Sequence, residues 1–484
     1  MSWLKRERLK LYILLILVIT SFIQVGILWN YQNQGEPTNF LLGIFYGKNK
    51  EISVDIGNHF EPYRIVISEG FENPHWIVSE KQKYYDELWE DAKSYLSNIL
   101  TGKNVIMEQE YTEEFWGEVV LKKSFIFEFK TKISNNLLSA FLKLGSPSNL
   151  KLGGIYKMAI LPSENINNNV SLYIYDGTRV AKYVVPFNFE GLTRDNYDGI
   201  ISEFYSKEIE GYSVIKEHRL NINKLSYNLR PDVLIVLEGN KYRSFNNIIL
   251  DTPDYIDRIN PNRRTDLEKI AEDILGREKE DYIRAVDMYN VIVFQNLSNM
   301  YKIYRDGLLE YKYLSVIGKT DKGNESEAFE KALKFIKERD SLISGIDVYL
   351  TGIIDQGDYY TFTFDYRFDG MPITFDKYTV MDKDKKSLNN AITIDANSKR
   401  VLSCYWILKE IEKGSEELQL NVNFEALLND AFSKYIELNN SFSIKDLYIS
   451  YKVKSNLSSQ NLKPVWVIEA LDDKRYIVPM REKP

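Results

Sequence analysis

Cysteine is almost absent from this chain of 484 residues, which contains only Cys404. A single cysteine cannot form a disulfide within one molecule, so packing must hold the fold together. It also excludes a metal site built mainly from thiolates of one chain. Because Cys404 lies in the apolar, strand-like run VLSCYWIL, we predict a buried small hydrophobic side chain and not a reactive nucleophile.

Histidine is scarce as well. The three histidines, His59, His75 and His218, lie far apart and share no metal-ligand spacing such as H-E-x-x-H. No G-x-G-x-x-G, P-loop, G-x-S-x-G or S-x-x-K motif occurs in a strand-turn-helix context. We therefore predict no catalytic, cofactor-binding or metal-binding residues, and we expect a protein that is not an enzyme.

Acidic residues are numerous, and two acidic stretches require an interpretation. Paired acids could hydrolyse a glycan if they lay ~5–10 Å apart across a sugar bond. Four aspartates cluster near one predicted hairpin: Asp355, Asp358, Asp365 and Asp369. Two of them flank turns, where aspartate is favoured for backbone reasons, so we favour the turn interpretation. Residues 382–393 begin like a calcium loop but have lysine at the third ligand position, which indicates a solvated hairpin tip.

The overall charge argues against a nucleic-acid partner. The net charge is −7 and the sequence pI is about 5.4, whereas nucleic-acid binders are usually basic. No small-molecule substrate is evident. Aromatic residues make up 13% of the chain, with 34 tyrosines, which favours extensive β structure. Exposed tyrosines could also line a groove in a ligand- or wall-binding module, although core packing explains most of them.

One long uncharged run contrasts with this charged composition. Residues 11–29, LYILLILVITSFIQVGILW, would span ~28 Å as a helix, enough for the hydrocarbon core of a bilayer. Four lysines and arginines precede it, and none follows until Lys48. We predict an uncleaved transmembrane helix at residues 11–30, a cytoplasmic stub at 1–10 and an extracellular C-terminus. A cleaved signal peptide is the alternative, but no small-residue cleavage site is visible.

Beyond this run, apolar residues recur at helical spacing in six segments. They predict helices at residues 81–100, 135–144, 195–209, 265–275, 325–338 and 424–437. Ser79 with Gln82, and Thr265 with Glu268, have the spacing of a capping box at a helix start. The pairs Asp176-Gly177, Asp306-Gly307 and Asp369-Gly370 predict tight hairpins between strands.

The last three helices are each followed by strand material with hairpin signals. Each such unit predicts a helix that covers the apolar face of an antiparallel meander, and the recurrence suggests duplication. The predicted fold class is therefore α+β: one N-terminal transmembrane helix and an extracytoplasmic multidomain region of helix-on-antiparallel-sheet units. We assign an N-terminal domain to residues 31–190, a middle domain to 191–310 and a C-terminal domain of two such units to 311–484.

The layout resembles the YycH family, with YycI-like repeats in the C-terminal half. The resemblance rests on the start RLKLYILLILVITSFIQVGILWNYQ, the region YKMAILPSENINNNVSLYIYDG and the tail LKPVWVIEALDDKRYIVPM. The run YYTFTFDYRFDGMPITFDKYTV also looks like the fold that YycI shares with the later domains of YycH. These motifs are short and non-catalytic, and they transfer no individual functional residue.

The resemblance implies a role as an accessory protein of the WalK/WalR (YycG/YycF) two-component system in Gram-positive bacteria. The protein would sit in the membrane beside a YycI-like protein and adjust a WalK-type histidine kinase that controls cell-wall homeostasis. Helices associate in lipid through close packing and interhelical hydrogen bonds. One helix face carries both polar and apolar candidates for this contact: Ile13, Leu17, Thr20, Gln24 and Ile27. A glutamine that points to the lipid headgroups is the alternative for Gln24.

Overall fold

The computed structural model describes most of the chain that follows the predicted membrane segment. It covers Leu17, Thr20, Ser21 and Gln24, and then residues 55–483 with gaps at 81, 145–149, 163, 165–167, 188–190, 207–210, 215–226, 237–240, 254–255, 257–263, 276–281, 287–290, 316–321, 376–377, 380–386, 435–441, 455–458 and 472–473. Within this part of the chain, no helix is long and apolar enough to cross a membrane. The predicted stub at 1–10 and most of the predicted span at 11–30 lie outside it.

Six of the seven α-helices in the described chain correspond to the predicted segments. They are α1 (Tyr85–Thr101), α2 (Trp116–Val119), α3 (Asn135–Phe141), α4 (Arg194–Ser206), α5 (Arg264–Leu275), α6 (Glu325–Lys337) and α7 (Phe424–Lys434). The extra one, α2, is a single turn. Short 3₁₀ turns occur at Ile56–His59, Glu113–Phe115 and Asp340–Leu342.

The capping box predicted at Ser79 does not start a helix. The backbone N–H of Ser79 does donate to Gln82 Oε1 at 2.8 Å, but Tyr84 then takes a positive φ of 74° and α1 begins only at Tyr85. The predicted helix from residue 81 was therefore four residues too long at its start. Helix α5 begins at Arg264, one residue before the predicted start at Thr265.

The strands are numbered in chain order. The first ten are β1 (Arg64–Ser68), β2 (His75–Val78), β3 (Met107–Thr112), β4 (Ser124–Ser134), β5 (Gly154–Leu161), β6 (Asn169–Tyr175), β7 (Arg179–Pro186), β8 (Tyr212–Val214), β9 (Tyr227–Leu229) and β10 (Leu234–Val236). The next nine are β11 (Tyr242–Asp251), β12 (Ile283–Val286), β13 (Ile292–Gln295), β14 (Asn299–Ile303), β15 (Leu308–Tyr313), β16 (Asp347–Asp355), β17 (Tyr360–Phe368), β18 (Met371–Phe375) and β19 (Tyr378–Thr379). The last eight are β20 (Ser387–Leu388), β21 (Ile392–Ala396), β22 (Val401–Ile407), β23 (Glu410–Asn421), β24 (Phe442–Val453), β25 (Ser459–Leu462), β26 (Pro464–Ala470) and β27 (Arg475–Pro479).

The first sheet is antiparallel and is buried on both faces. Its nine strands follow the order β10-β8-β2-β1-β4-β5-β6-β7-β3. Side chains alternate between the faces of a strand, so Ile65 and Ile67 pack under α1, α3 and α4, while Val66 packs with Trp116 on the opposite side. Strands β8 and β10 follow residue 190 and still belong to this sheet. The domain boundaries at 190 and 310 stay predictions.

The C-terminal sheet contains the three predicted helix-plus-meander units. Its main path is β12-β13-β14-β15-β22-β21-β17-β18-β24-β26-β27, with β16 on the other side of β17 and β9 beside β24. Strands pair antiparallel within each unit, and the parallel pair β18-β24 joins the last two units. The predicted hairpins are confirmed, because Gly177, Gly307 and Gly370 turn with φ of 98°, 92° and 77°. The α+β class is therefore confirmed.

A smaller sheet, β23-β11-β25, was not predicted. Strands β11 and β23 are rich in polar and charged residues and pair with each other over nearly their whole length. Gly414 lies so close to Asn247 that an added Cβ would approach the amide oxygen to 2.0 Å.

The predicted burial of Cys404 is confirmed, since this side chain in β22 has no exposed surface.

Candidate functional site

The first sheet and the C-terminal sheet meet through charged side chains that sequence reasoning missed. In β4, Phe127 and Phe129 face the hydrophobic core, so Glu128 and Lys130 point to the opposite side. Pairing with β5 shifts register after Glu128 and resumes only at Ile133. This irregular segment of β4 brings Lys130 to the C-terminal sheet.

We call the resulting cluster the junction network. Its interior contains five cations and five carboxylates: Arg64, Lys130, Lys157, Arg230 and Arg475, with Glu128, Asp232, Asp365, Asp446 and Glu469. The exposed Glu113 adds one further carboxylate at its edge, 3.7 Å from Arg230. Strands of both sheets contribute members, so the network connects the two sheets directly.

On the side of the first sheet, Lys157 lies between two carboxylates. Its Nζ is 2.6 Å from Glu128 Oε1 and 2.7 Å from Asp232 Oδ2. Asp232 also accepts a hydrogen bond from the indole of Trp116 at 3.1 Å. Burial would raise the pKa of Asp232, but Lys157 and Arg230 outweigh it and lower that pKa. The carboxylate is therefore held in its charged form.

On the side of the C-terminal sheet, Asp446 bridges two cations. Its carboxylate oxygens lie 3.0 Å from Arg64 Nη2 and 2.9 Å from Lys130 Nζ. Burial would raise the pKa of Asp446, but Arg64 and Lys130 hold it below its usual range. The ammonium of Lys130 also lies over the rings of Tyr63 and Tyr448, 4.4 and 4.0 Å from their centroids. Such contacts stabilise a desolvated cation.

A cleft opens beside the network, and we call it the junction cleft. It has a volume of about 420 Å³ and lies between the N-terminal part of the chain and the segment from α6 to β17. Its apolar end is lined by Phe60, Phe129, Phe141, Phe329, Leu333 and Ile336. The volume of this cleft lies within the range of small-ligand sites.

Two carboxylates and one guanidinium in the lining of the junction cleft contact one another, and Lys130, Lys337, Asp340 and Asp347 also line it. Glu61 Oε2 lies 3.3 Å from Arg367 Nη2, and Glu80 contacts the same nitrogen. Arg367 is only 4% exposed, and its Nε has no hydrogen-bond partner among the described residues. Burial raises the pKa of Glu61, and the charge of Glu80 raises it further, while Arg367 lowers it. We call Glu61 and Glu80 the acid pair.

The irregular segment that carries Glu61, just before β1, is held by two side-chain hydrogen bonds. Trp89 Nε1 donates to the Phe60 carbonyl at 2.7 Å, and the Tyr85 hydroxyl donates to the Pro62 carbonyl at 2.6 Å. On the other side, the turn at Gly370 packs against Ser79, where an added Cβ would lie 2.9 Å from the serine Cβ. The backbone on either side of Glu61 is therefore fixed, and the residue before Glu80 packs against a turn.

The residues predicted for the membrane face are only partly described. Leu17, Thr20 and Gln24 are helical and exposed, whereas Ile13 and Ile27 lie outside the described residues. The Thr20 hydroxyl donates to the Leu17 carbonyl at 2.9 Å. Their contact with a partner helix stays a prediction.

The four aspartates considered for glycan hydrolysis have different local roles. Asp355 accepts from Gly357 N at 2.9 Å in a turn, and Asp369 precedes the hairpin glycine with φ of 48°. Asp365 is buried and accepts hydrogen bonds from Asn390 and from the Ala391 backbone. Asp355 and Asp369 therefore match the turn interpretation.

The positions of the histidine and acidic side chains bear on the predicted absence of a metal site. No group of three or more histidine, cysteine or acidic side chains is placed to hold a metal ion in the described part of the chain. His75 is buried and lies 3.0 Å from the Ser68 hydroxyl. His218, Asp382 and Asp384 lie outside the described residues.

A sequence signal for the junction did exist. Charged residues interrupt otherwise apolar strands, as Glu128 and Lys130 do in FIFEFK, Lys157 in YKMAIL and Glu469 in VWVIEAL. A charge in such a position must be paired when the strand is buried on both faces. The partners, however, come from remote parts of the chain.

Comparison with known proteins identifies the fold. No family model matches the chain, and no curated protein matches it. Among solved structures, it is similar to the crystal structure of YycH from Bacillus subtilis, with a TM-score of 0.56 and 13% identity over 88% of this chain and 98% of that chain. An uncharacterized protein from Eubacterium rectale matches 53% of this chain and 91% of its own at 14% identity, with a TM-score of 0.31. The chain has a YycH-like fold.

Proposed function

We propose that this protein is a membrane-anchored, non-enzymatic regulator of a WalK-type sensor histidine kinase. The observation that supports this most is the YycH-like fold, which extends over 88% of this chain and 98% of the YycH chain. The expected topology is a cytoplasmic N-terminus, one membrane helix at residues 11–30 and an extracellular remainder. A YycI-like protein is the expected second partner.

The proposed contact with the kinase uses the helix face that contains Thr20 and Gln24. In lipid, a polar side chain gains from an interhelical hydrogen bond, on the order of 0.6 kcal/mol each. Two such bonds together correspond to roughly an eightfold change in association. The ectodomain would then position or bias this helix.

The test is crosslinking of the full-length protein in its native membrane, followed by identification of the partner and measurement of kinase output. Replacing Thr20→Leu and Gln24→Leu together should weaken co-purification with the kinase. Ser21→Leu is the matched control, because Ser21 is also polar and helical but points about 100° away from Thr20. Unchanged association and unchanged kinase output in the double variant would contradict the proposal.

A second candidate is an extracytoplasmic ligand- or wall-binding module, and the junction cleft is the observation that favours it. A wall glycan hydrolase has less support, because the buried Asp365 is bonded to Asn390 and Ala391. Loss of a measured wall-degrading activity in Asp365→Asn would reinstate the hydrolase.

A further inference from the structure

A second cleft, larger than the junction cleft, is lined by strands of both large sheets, and we call it the basic groove. Its volume is about 870 Å³. Two carboxylates line it, those of Asp176 and Glu469, whereas six cationic side chains do: Lys130, Lys132, Arg230, Lys445, Lys474 and Arg475. The chain as a whole has a net charge of −7, so this surface differs in sign from the protein average.

Three of these cations belong to the junction network, yet most of their carboxylate partners do not line the groove. Glu469 is the one described partner that does. The side chains of Lys132, Lys474 and Arg475 are partly or fully exposed. In Arg475, Nη2 has no hydrogen-bond partner among the described residues. A ligand in the groove therefore meets more positive than negative charge, which favours an anion.

The basic groove also contains an open strand edge. Strand β16 pairs with β17 and with no other strand in the described chain. This pairing is regular from Gly352 to Asp355, and Gly352, Ile353 and Ile354 line the groove. Asp355, at the end of the strand, is already paired with Lys322 at 2.6 Å. The outer edge of β16 therefore presents backbone N–H and C=O groups that a further strand can bond.

Two large apolar side chains in the basic groove are exposed. Ile354, in β16, is 52% exposed, and Leu471, in the turn after β26, is 53% exposed. Exposed apolar side chains in a polar surrounding are typical of interaction sites. A bare inorganic anion would gain nothing from them or from the strand edge, whereas a peptide can use both.

We propose that the basic groove binds an extended, acidic segment of a partner protein, which adds a strand to the open edge of β16. The carboxylates of the segment lie against Lys132, Lys474 and Arg475, and its apolar side chains pack on Ile354 and Leu471. This proposal goes beyond the regulatory function, because the contact is made by the ectodomain and does not require that the partner be a kinase.

The test is calorimetry with the full-length protein in nanodiscs of a zwitterionic lipid, with the peptide acetyl-Glu-Val-Glu-Ile-Glu-Val-amide as the probe. Two analogues each lack one recognised feature. The peptide acetyl-Gln-Val-Gln-Ile-Gln-Val-amide has no charge, and the fully N-methylated probe keeps every side chain but has no backbone donor. Each analogue should bind at least about tenfold more weakly than the probe, and binding of the probe should weaken as salt is raised.

Variants of the lysines locate the charge contact. Lys132→Gln and Lys474→Gln together should weaken binding of the probe by at least about tenfold, because two cations of the groove are lost. Lys463→Gln is the matched control, since Lys463 is also partly exposed but does not line the groove. Its affinity for the probe should equal that of the wild-type protein.

Variants of the apolar side chains provide a second route that leaves the lysines intact. Ile354→Asp and Leu471→Asp each place a negative charge beside the bound acidic segment, so both should weaken binding of the probe. These side chains are exposed, so the fold should tolerate the change. Leu297→Asp makes the same change at an exposed position outside the groove and should leave the affinity unchanged.

Three results would overturn the proposal. One is equal affinity for the probe and its glutamine analogue, which would indicate an unselective apolar surface. The second is tighter binding of tripolyphosphate than of the probe, which would make the groove a phosphate site. The third is absence of binding of the probe to the wild-type protein at millimolar concentration.

Discussion

The junction network and the acid pair lie at the same contact between the two large sheets, yet they differ in charge balance. In the interior of the network, every carboxylate has at least one cation within 4 Å, and the pKa values of Asp232, Asp446 and Glu469 are lowered. Asp365 is the exception: its nearest cation, Arg475, lies 3.7 Å away, and burial raises its pKa. In the acid pair, two carboxylates share Arg367, and the pKa of Glu61 is raised. Burial acts in the same direction in all of these groups, so the number and closeness of the nearby cations decide the outcome.

This difference separates a balanced, buried network from a partly exposed pair with an excess carboxylate. A balanced, buried network resists the loss of any member, because the remaining partner becomes an uncompensated charge. An unbalanced pair should instead tolerate neutralisation of its excess carboxylate. Three measurements can break or sharpen this contrast.

The largest effect is expected from Lys157→Met in the network. The substitution leaves Glu128 and Asp232 without the cation between them, and removing one partner of a buried pair costs about 3–5 kcal/mol. The free energy of unfolding should fall by that amount in urea denaturation. Lys463→Met, at an exposed ion pair with Glu482, should leave the urea midpoint unchanged. A loss below about 1 kcal/mol at Lys157 would show that the network does not hold the sheets together.

A smaller effect is expected from acid titration. The lowered pKa values of Asp232, Asp446 and Glu469 mean that the unfolded chain binds more protons than the folded one once pH falls to about 4. Their stabilisation is complete above that pH and is lost as pH falls toward the folded pKa values. Each whole proton contributes a slope of about 1.4 kcal/mol per pH unit.

Asp446→Asn should therefore reduce this slope by up to the contribution of one proton. It should also lower the free energy of unfolding at neutral pH. The measurement is the free energy of unfolding between pH 5 and pH 2.5. Glu416→Gln, at a surface position, is the control. An identical slope in Asp446→Asn and wild type would mean that Asp446 titrates normally in the folded protein.

The elements that depend on local spacing are the ones that could be predicted from the sequence. Helices and hairpins follow from local spacing, so α6 was predicted within one residue and all three Asp-Gly turns were correct. The start of α1 was wrong because the local bond between Ser79 and Gln82 closes a turn and not a helix. Strand β23 has few apolar residues and the apolar residues of β11 do not alternate regularly, so their extended backbone depends on pairing between remote segments.

The candidate site depends almost entirely on such remote pairing. Lys130 and Asp446 are 316 residues apart, and Arg367 and Glu61 are 306 residues apart. A single sequence reveals that Lys130 interrupts an apolar strand, but it does not identify which acid the lysine meets. The prediction of the membrane face, in contrast, needed no remote pairing, because it rests only on the local periodicity of one segment.

The smallest expected effect, and the sharpest contrast with Lys157, belongs to Glu61→Gln. This change removes the excess charge and keeps a side chain of similar size, so Arg367 and Glu80 become a balanced pair. Because the raised folded pKa of Glu61 means that its ionisation opposes folding, stability at neutral pH should be unchanged or should rise slightly, since solvent screens this partly exposed side chain. The gain should shrink as pH falls through the folded pKa of Glu61, since the wild-type carboxyl is then protonated too. Glu90→Gln on α1 should show neither change. A loss of stability as large as that of Lys157→Met would instead make the acid pair part of the structural network.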